Sequence, residues 1–218
     1  MGATLLAVLP YAVGLLVAPL PAVAVAVLLI GPDGRLRAGL FLLFWWLAGA
    51  VACFAVTAAI RYASPNARLP DRAGTWLSVL LGVALVAVAL LYGRALVARR
   101  REHGWQPPRW LYPVGTLPVH GVAPLAIRLM LRDPLNLVLL LAAAVVLAGT
   151  RTDGRTDLLA AALLALGGTL GVAVPLIVAW AGGWQATVRL HHLRGTAIWP
   201  APAVRFWLAV GYAALLLT

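Results

Sequence analysis

The chain is built of long apolar runs separated by short polar turns. Six runs are candidates for membrane spans, at residues 4–30, 38–60, 75–97, 119–149, 158–181 and 202–217. A helix rising about 1.5 Å per residue needs about 20 apolar residues to cross a hydrocarbon core about 30 Å thick. The first and fourth runs exceed that length and contain prolines; the sixth is short and starts among prolines. The connections carry turn chemistry, as in Gly31-Pro32-Asp33-Gly34, Ser64-Pro65-Asn66 and Thr152-Asp153-Gly154. None is large enough to form a soluble domain. The pattern predicts an all-α integral membrane protein of six transmembrane helices, with three in 1–98, a basic linker at 99–118 and three more in 119–218.

Composition narrows the class. Hydrophobic residues make up 63% and charged residues 11%, with a mean hydropathy of +0.97, whereas a soluble domain carries about 25% charged residues. The formal charge of +11 comes entirely from Arg, because the chain has no Lys. These Arg residues are scattered through the turns between apolar runs, which is the pattern of an orientation signal and not of a nucleic-acid groove. Arg35, Arg37, Arg94, Arg99, Arg100, Arg101, Arg109, Arg189 and Arg194 fall on one side, with Arg128, Arg132 and Arg205 near it. The other side holds Arg61, Arg68, Arg72, Arg151 and Arg155. The richer side should be cytoplasmic, so a multi-pass protein of the cytoplasmic membrane with both termini outside is expected. No basic residue precedes Arg35, so the start lacks the charged region of a cleavable signal peptide and reads as mature protein. Trp105, Trp110, Tyr112, Trp184 and Trp199 flank the linker and the fifth connection, where aromatic rings favour the headgroup level. Residues 184–199 read either as an amphipathic helix along the interface or as a connecting loop with aromatic anchors.

Three spans, a linker and three more spans would insert two halves with opposite orientation, the inverted repeat of many carriers. Both halves begin with an interrupted run, VAPLPAV at 17–23 and RDPLNLV at 132–138. Pro19 and Pro21 remove two backbone donors and disfavour helical geometry before them, so a kink or unwound turn is expected there. Pro10 and Pro175 predict milder kinks. In RDPLN, Asp133 suits an N-cap, Pro134 the first helical position and Asn136 the first turn. From Pro134 to Gly149 such a helix would be about 24 Å long, short of the span. It either thins the bilayer or starts below the surface, with 119–131 dipping in beside it. In the second case Arg128, Arg132 and Asp133 lie at membrane depth, each costing roughly 2.5–3.5 kcal/mol at a helix centre. An Arg132–Asp133 pair or a wet cavity would offset that cost, and the helix N-terminus would favour an anion. In the first case Arg128 and Arg132 snorkel to the headgroups. The candidate substrate-binding residues are thus Pro19, Pro21, Arg128, Arg132, Asp133, Pro134 and Asn136, for the phosphate or carboxylate of an amphiphile.

The Pro-Leu-Pro core of the first run, the GPDGR turn and the Trp-containing GLFLLFWWLAGAV resemble the glycopeptidolipid-addressing, or GAP, membrane proteins. RDPLN and GVAVPLIVAWAGG extend the resemblance over nearly the whole chain. Ala18 stands where that family often has Ser, and Asp133 where Asn is frequent. The resemblance implies movement of glycolipids towards the cell surface and a relation to the three-plus-three carriers of the lysine-exporter superfamily. The Pro-Gly-Pro and Asn-Pro-Lys motifs of amino-acid exporters are missing, which weakens amino acids as substrates.

The remaining chemistry is sparse. Gly167-xxx-Gly171 fits close helix packing. Cys53 is the single cysteine, so no intramolecular disulfide can form. His191 and His192 are adjacent with no carboxylate or Cys nearby, a poor metal site, and His120 is either a lining or an interfacial residue. There are two Ser, at 64 and 78, and no nucleotide loop, metal triad or nucleophile elbow, so no enzyme activity, cofactor or metal is expected. The expected partners are the lipid bilayer and a lipid or other anionic amphiphile, with a homodimer or a larger export complex left open. The leading expectation is a carrier working by alternating access. The alternatives are an exporter of a small solute or ion and a non-transporting scaffold of a lipid-export machine.

Overall fold

The structure is a computed structural model and describes residues 2–63, 71–101, 109–150, 152–181 and 201–217. It is all-helical among those residues. The helices are α1 (Gly2–Leu16), α2 (Pro19–Ile30), α3 (Gly34–Ala63), α4 (Asp71–Arg101), α5 (Val119–Arg132), α6 (Pro134–Gly149), α7 (Gly154–Ala181) and α8 (Ala201–Leu217). A 3-10 segment, Arg109–Thr116, precedes α5. Residues 184–199, with the interfacial helix expected there and His191 and His192, lie outside the described residues, as does Trp105.

Three helices are long and apolar enough to cross a membrane, or five spans result if each bent pair counts as one; α8 is shorter. Large apolar side chains point outward along the long helices, among them Leu43, Val51, Leu80, Leu90, Leu163, Leu170 and Ile177. A helix apolar on its outer face as well as its inner one requires an apolar surround. The protein is therefore a multi-pass helical membrane protein.

Both interruptions expected at prolines are present. The chain bends by 56° between Leu16 and Pro19, and by 73° between Arg132 and Pro134. The helix runs on through Pro10 in α1 and Pro175 in α7. The single breaks therefore come where proline coincides with a second disfavour: Pro19 with Pro21 at one, and the Asp133 cap with Pro134 at the other.

The packing is reciprocal. The α1/α2 pair lies on α7, and the α5/α6 pair lies on α3. Helix α3 packs on α7, and α4 packs along α8 and meets α6. Small residues set the first contact. Gly167 faces Ala12, Gly168 faces Leu15, and a Cβ on Gly171 would run into the Leu16 carbonyl oxygen at the first break. The close packing read from Gly167 and Gly171 is thus the docking of α7 against the end of α1. Trp46 of α3 donates to the Ala162 carbonyl of α7 at 2.9 Å, a bond that fixes the register of the two long helices. Phe41 and Trp45, stacked 6.1 Å apart, fill the buried side of α3.

Helices α3 and α7 also open alike, on Asp33-Gly34-Arg35-Leu36-Arg37 and Asp153-Gly154-Arg155-Thr156-Asp157. In both, the fifth residue donates its backbone N–H to the carbonyl of the Asp, at 3.0 Å and 3.1 Å. In both, its side chain is buried, but one is a cation and the other an anion.

Candidate functional site

The second break gathers polar groups inside the apolar body. Asp133 is the N-cap of α6, its carboxylate accepting from the Leu135 backbone N–H at 3.2 Å. The same oxygen accepts from the Tyr92 hydroxyl of α4 at 2.8 Å. The other carboxylate oxygen lies 2.5 Å from Arg205 Nη2 of α8. Arg205 Nη1 in turn donates to the Tyr92 oxygen at 3.3 Å, closing a three-membered ring, and the guanidinium carbon stands 5.5 Å from the Tyr92 ring centre. Asp133 and Arg205 are each 8% exposed. Tyr92 lies within the apolar stretch Val79–Ala98, about 9 Å from its end at the helical rise.

Asp133 is thus both the cap of α6 and the partner of a buried cation. The cap is real and such caps contribute about 1 kcal/mol. Stranding one partner of a buried ion pair costs about 3–5 kcal/mol. The pairing with Arg205 is thus the larger of the two roles of Asp133. Chemically, the cluster sets one carboxylate against one guanidinium, so the two charges offset each other inside the apolar body.

The structure brings Asp133, Pro134 and Asn136 together, and leaves Arg128 and Arg132 outside. Helix α5 buries Val122, Ala126 and Met130. Arg128 and Arg132 stand two positions further along, close to the opposite face of a 3.6-residue helix, and both are exposed. The partner of Asp133 is Arg205 and not the neighbouring Arg132. Exposure of the two Arg fits the headgroup alternative. Asn136 is 3% exposed, and its amide nitrogen has no hydrogen-bond partner among the described residues. Pro19 and Pro21 sit at the first break with Pro21 buried, and Ala18 makes no side-chain cap there. His120, at the start of α5, is exposed.

Tyr92 and Arg205 were not foreseen as site residues. Each is a polar side chain on the inner face of an otherwise apolar helix, and that was the available signal. Their pairing joins distant segments, so no local spacing reveals it. Tyr212 of α8 faces the first broken pair: its hydroxyl donates to the Pro10 carbonyl and its ring stacks on Tyr11 at 6.4 Å.

A second ion pair, half-buried on the Arg side, joins the end of α3 to α7. Arg61, in the last turn of α3, meets Asp157 of α7 at 2.5 Å. It also donates to the carbonyls of Leu147, at 3.1 Å, and Thr152. Thr152 donates its hydroxyl to Asp157 at 2.6 Å. Among the described residues no cluster of His, Cys, Asp or Glu could hold a metal ion.

Comparison with curated proteins and with solved structures returns no match. A family model, described as Sap, sulfolipid-1-addressing protein (SfLAP), matches residues 8–218. That is a lipid-addressing membrane family of the GAP-like kind the two Pro-Leu motifs resemble. With nearly its whole length matched, the chain belongs to the sulfolipid-1-addressing protein family.

Proposed function

We propose that the protein is a six-helix carrier, built as two inverted three-helix repeats, that moves an anionic lipid or other amphiphile across the cytoplasmic membrane by alternating access. The observation that carries this reading is the reciprocal packing of the two broken pairs, α1/α2 on α7 and α5/α6 on α3. Broken helices at corresponding places in two halves are how many carriers build a central site. The shared Asp-Gly-Arg openings of α3 and α7 support the repeat. The Arg distribution supports outward termini. The same three-plus-three plan supports kinship with the lysine-exporter superfamily.

Substrate class follows from charge. Asp133 and Arg205 neutralise each other in this conformation, so an anionic headgroup can bind Arg205 only when Asp133 swings away. The name of the family, sulfolipid-addressing, fits an anionic amphiphile.

The test is reconstitution. Purified protein in liposomes carrying a fluorescent anionic lipid should bring the inner-leaflet label to an outside quencher faster than protein-free liposomes do. Equal rates with and without protein, in a preparation that retains its fold, would instead support a scaffold that acts only with partners.

A further inference from the structure

Arg37 is the counterpart of Asp157 in the opening of the other long helix, and the two are satisfied very differently. Asp157 has a cation, Arg61, within 2.5 Å and a hydroxyl from Thr152. Arg37 is 3% exposed, and among the described residues no carboxylate pairs with it. Only Nη1 is engaged, donating to the Leu117 carbonyl at 2.9 Å and the Gly115 carbonyl at 3.3 Å. Nε and Nη2 are buried and have no hydrogen-bond partner among the described residues.

Those two nitrogens are not an arbitrary pair. In a guanidinium, Nε–H and one N–H of Nη2 point the same way and form the side-on edge that grips a carboxylate, phosphate or sulfate by two parallel bonds. The carbonyls of Gly115 and Leu117 occupy the other side of the group and leave this edge free. What stands against it is Gly31: a Cβ there would lie 2.6 Å from Nη2 and would also run into the Gly115 carbonyl. The absent side chain keeps the edge clear. A buried guanidinium without a counter-charge is costly, and the matching end of the molecule shows that charge supplied by the chain itself.

We propose that Arg37 is an anion receptor at the junction of α2, α3 and the segment before α5, taking an oxyanion on its Nε–Nη2 edge. The oxyanion is the headgroup of an anionic lipid or a free inorganic ion. The site is separate from the Asp133–Arg205 cluster and stands whether or not the protein transports anything. Because the edge is shut off from solvent here, the anion reaches it by displacement of the turn at Gly31.

Thermal unfolding of the purified protein tests this, in phosphatidylcholine nanodiscs, in nanodiscs doped with phosphatidylglycerol, and in phosphatidylcholine nanodiscs with added sodium sulfate at matched ionic strength. Wild type should be stabilised by at least one of the two anions. Stabilisation by phosphatidylglycerol alone assigns a headgroup, and stabilisation by sulfate alone assigns a free ion. Arg37→Gln should weaken the apparent affinity by about tenfold or more, the loss of a charge-assisted bidentate contact. Arg37→Lys keeps the positive charge but lacks the side-on edge, so it should show the same weakening even if the Gln variant fails to fold. Stabilisation by neither anion, or equal anion response in wild type and Arg37→Lys, overturns the proposal.

Discussion

Asp133 and Arg205 form a buried ion pair 2.5 Å long that ties the break between α5 and α6 to the start of α8. Tyr92 bridges them from α4. A short polar motif that caps one helix thereby holds three elements together, and each role can be separated by substitution. Asp133→Asn keeps an N-cap oxygen but removes the charge. It should destabilise the protein by about 3 kcal/mol or more, because Arg205 is left buried and unpaired. Adding Arg205→Met should recover most of that loss in thermal unfolding. A loss near 1 kcal/mol or less in the single variant would reduce Asp133 to a cap.

Arg128 and Arg132 make the opposite prediction. Both are exposed on the outer face of α5, so Ala at either should change stability by no more than about 0.5 kcal/mol. A large loss at Arg132 would mean that it shares the charge of Asp133 after all.

The first break depends on closeness instead of charge. Gly171→Ala would drive a Cβ into the Leu16 carbonyl oxygen, and crowding of that kind costs about 1–3 kcal/mol. Gly211→Ala on α8 meets nothing within 4 Å, so its better helix propensity should leave stability unchanged or raise it by up to about 1 kcal/mol. The two variants, compared by thermal unfolding, separate a docking requirement from a general intolerance of Ala.

Arg61, Thr152 and Asp157 join the end of α3 to α7. A short bis-methanethiosulfonate cross-link between Arg61→Cys and Asp157→Cys, in a Cys53→Ser background, should stop transport by holding that end shut, and reduction should restore it. Transport that continues unchanged in the fully cross-linked protein would show that this end does not open.

Much of this fold is written locally. Apolar run lengths set the spans, and Pro19, Pro21 and Pro134 set the two breaks, because proline acts on its own backbone. The Asp133 cap is local for the same reason. The exposed face of α5 was also readable, since Arg128 and Arg132 share a helical face offset from Val122, Ala126 and Met130. What the chain does not display is pairing at a distance. Arg205 reads as a flanking charge near a loop, Tyr92 as one aromatic among apolar residues, and Arg37 as one Arg of an orientation signal. Only packing of α4, α6 and α8 shows that the first two meet at Asp133, and only the fold buries the third.

The most direct test of the carrier is transport of a fluorescent anionic lipid in liposomes holding equal amounts of folded wild type, Asp133→Asn, Arg205→Gln and Arg132→Ala. The account predicts that wild type and Arg132→Ala transport alike, while Asp133→Asn and Arg205→Gln lose nearly all activity. Wild-type rates in the Asp133→Asn and Arg205→Gln proteins would contradict it.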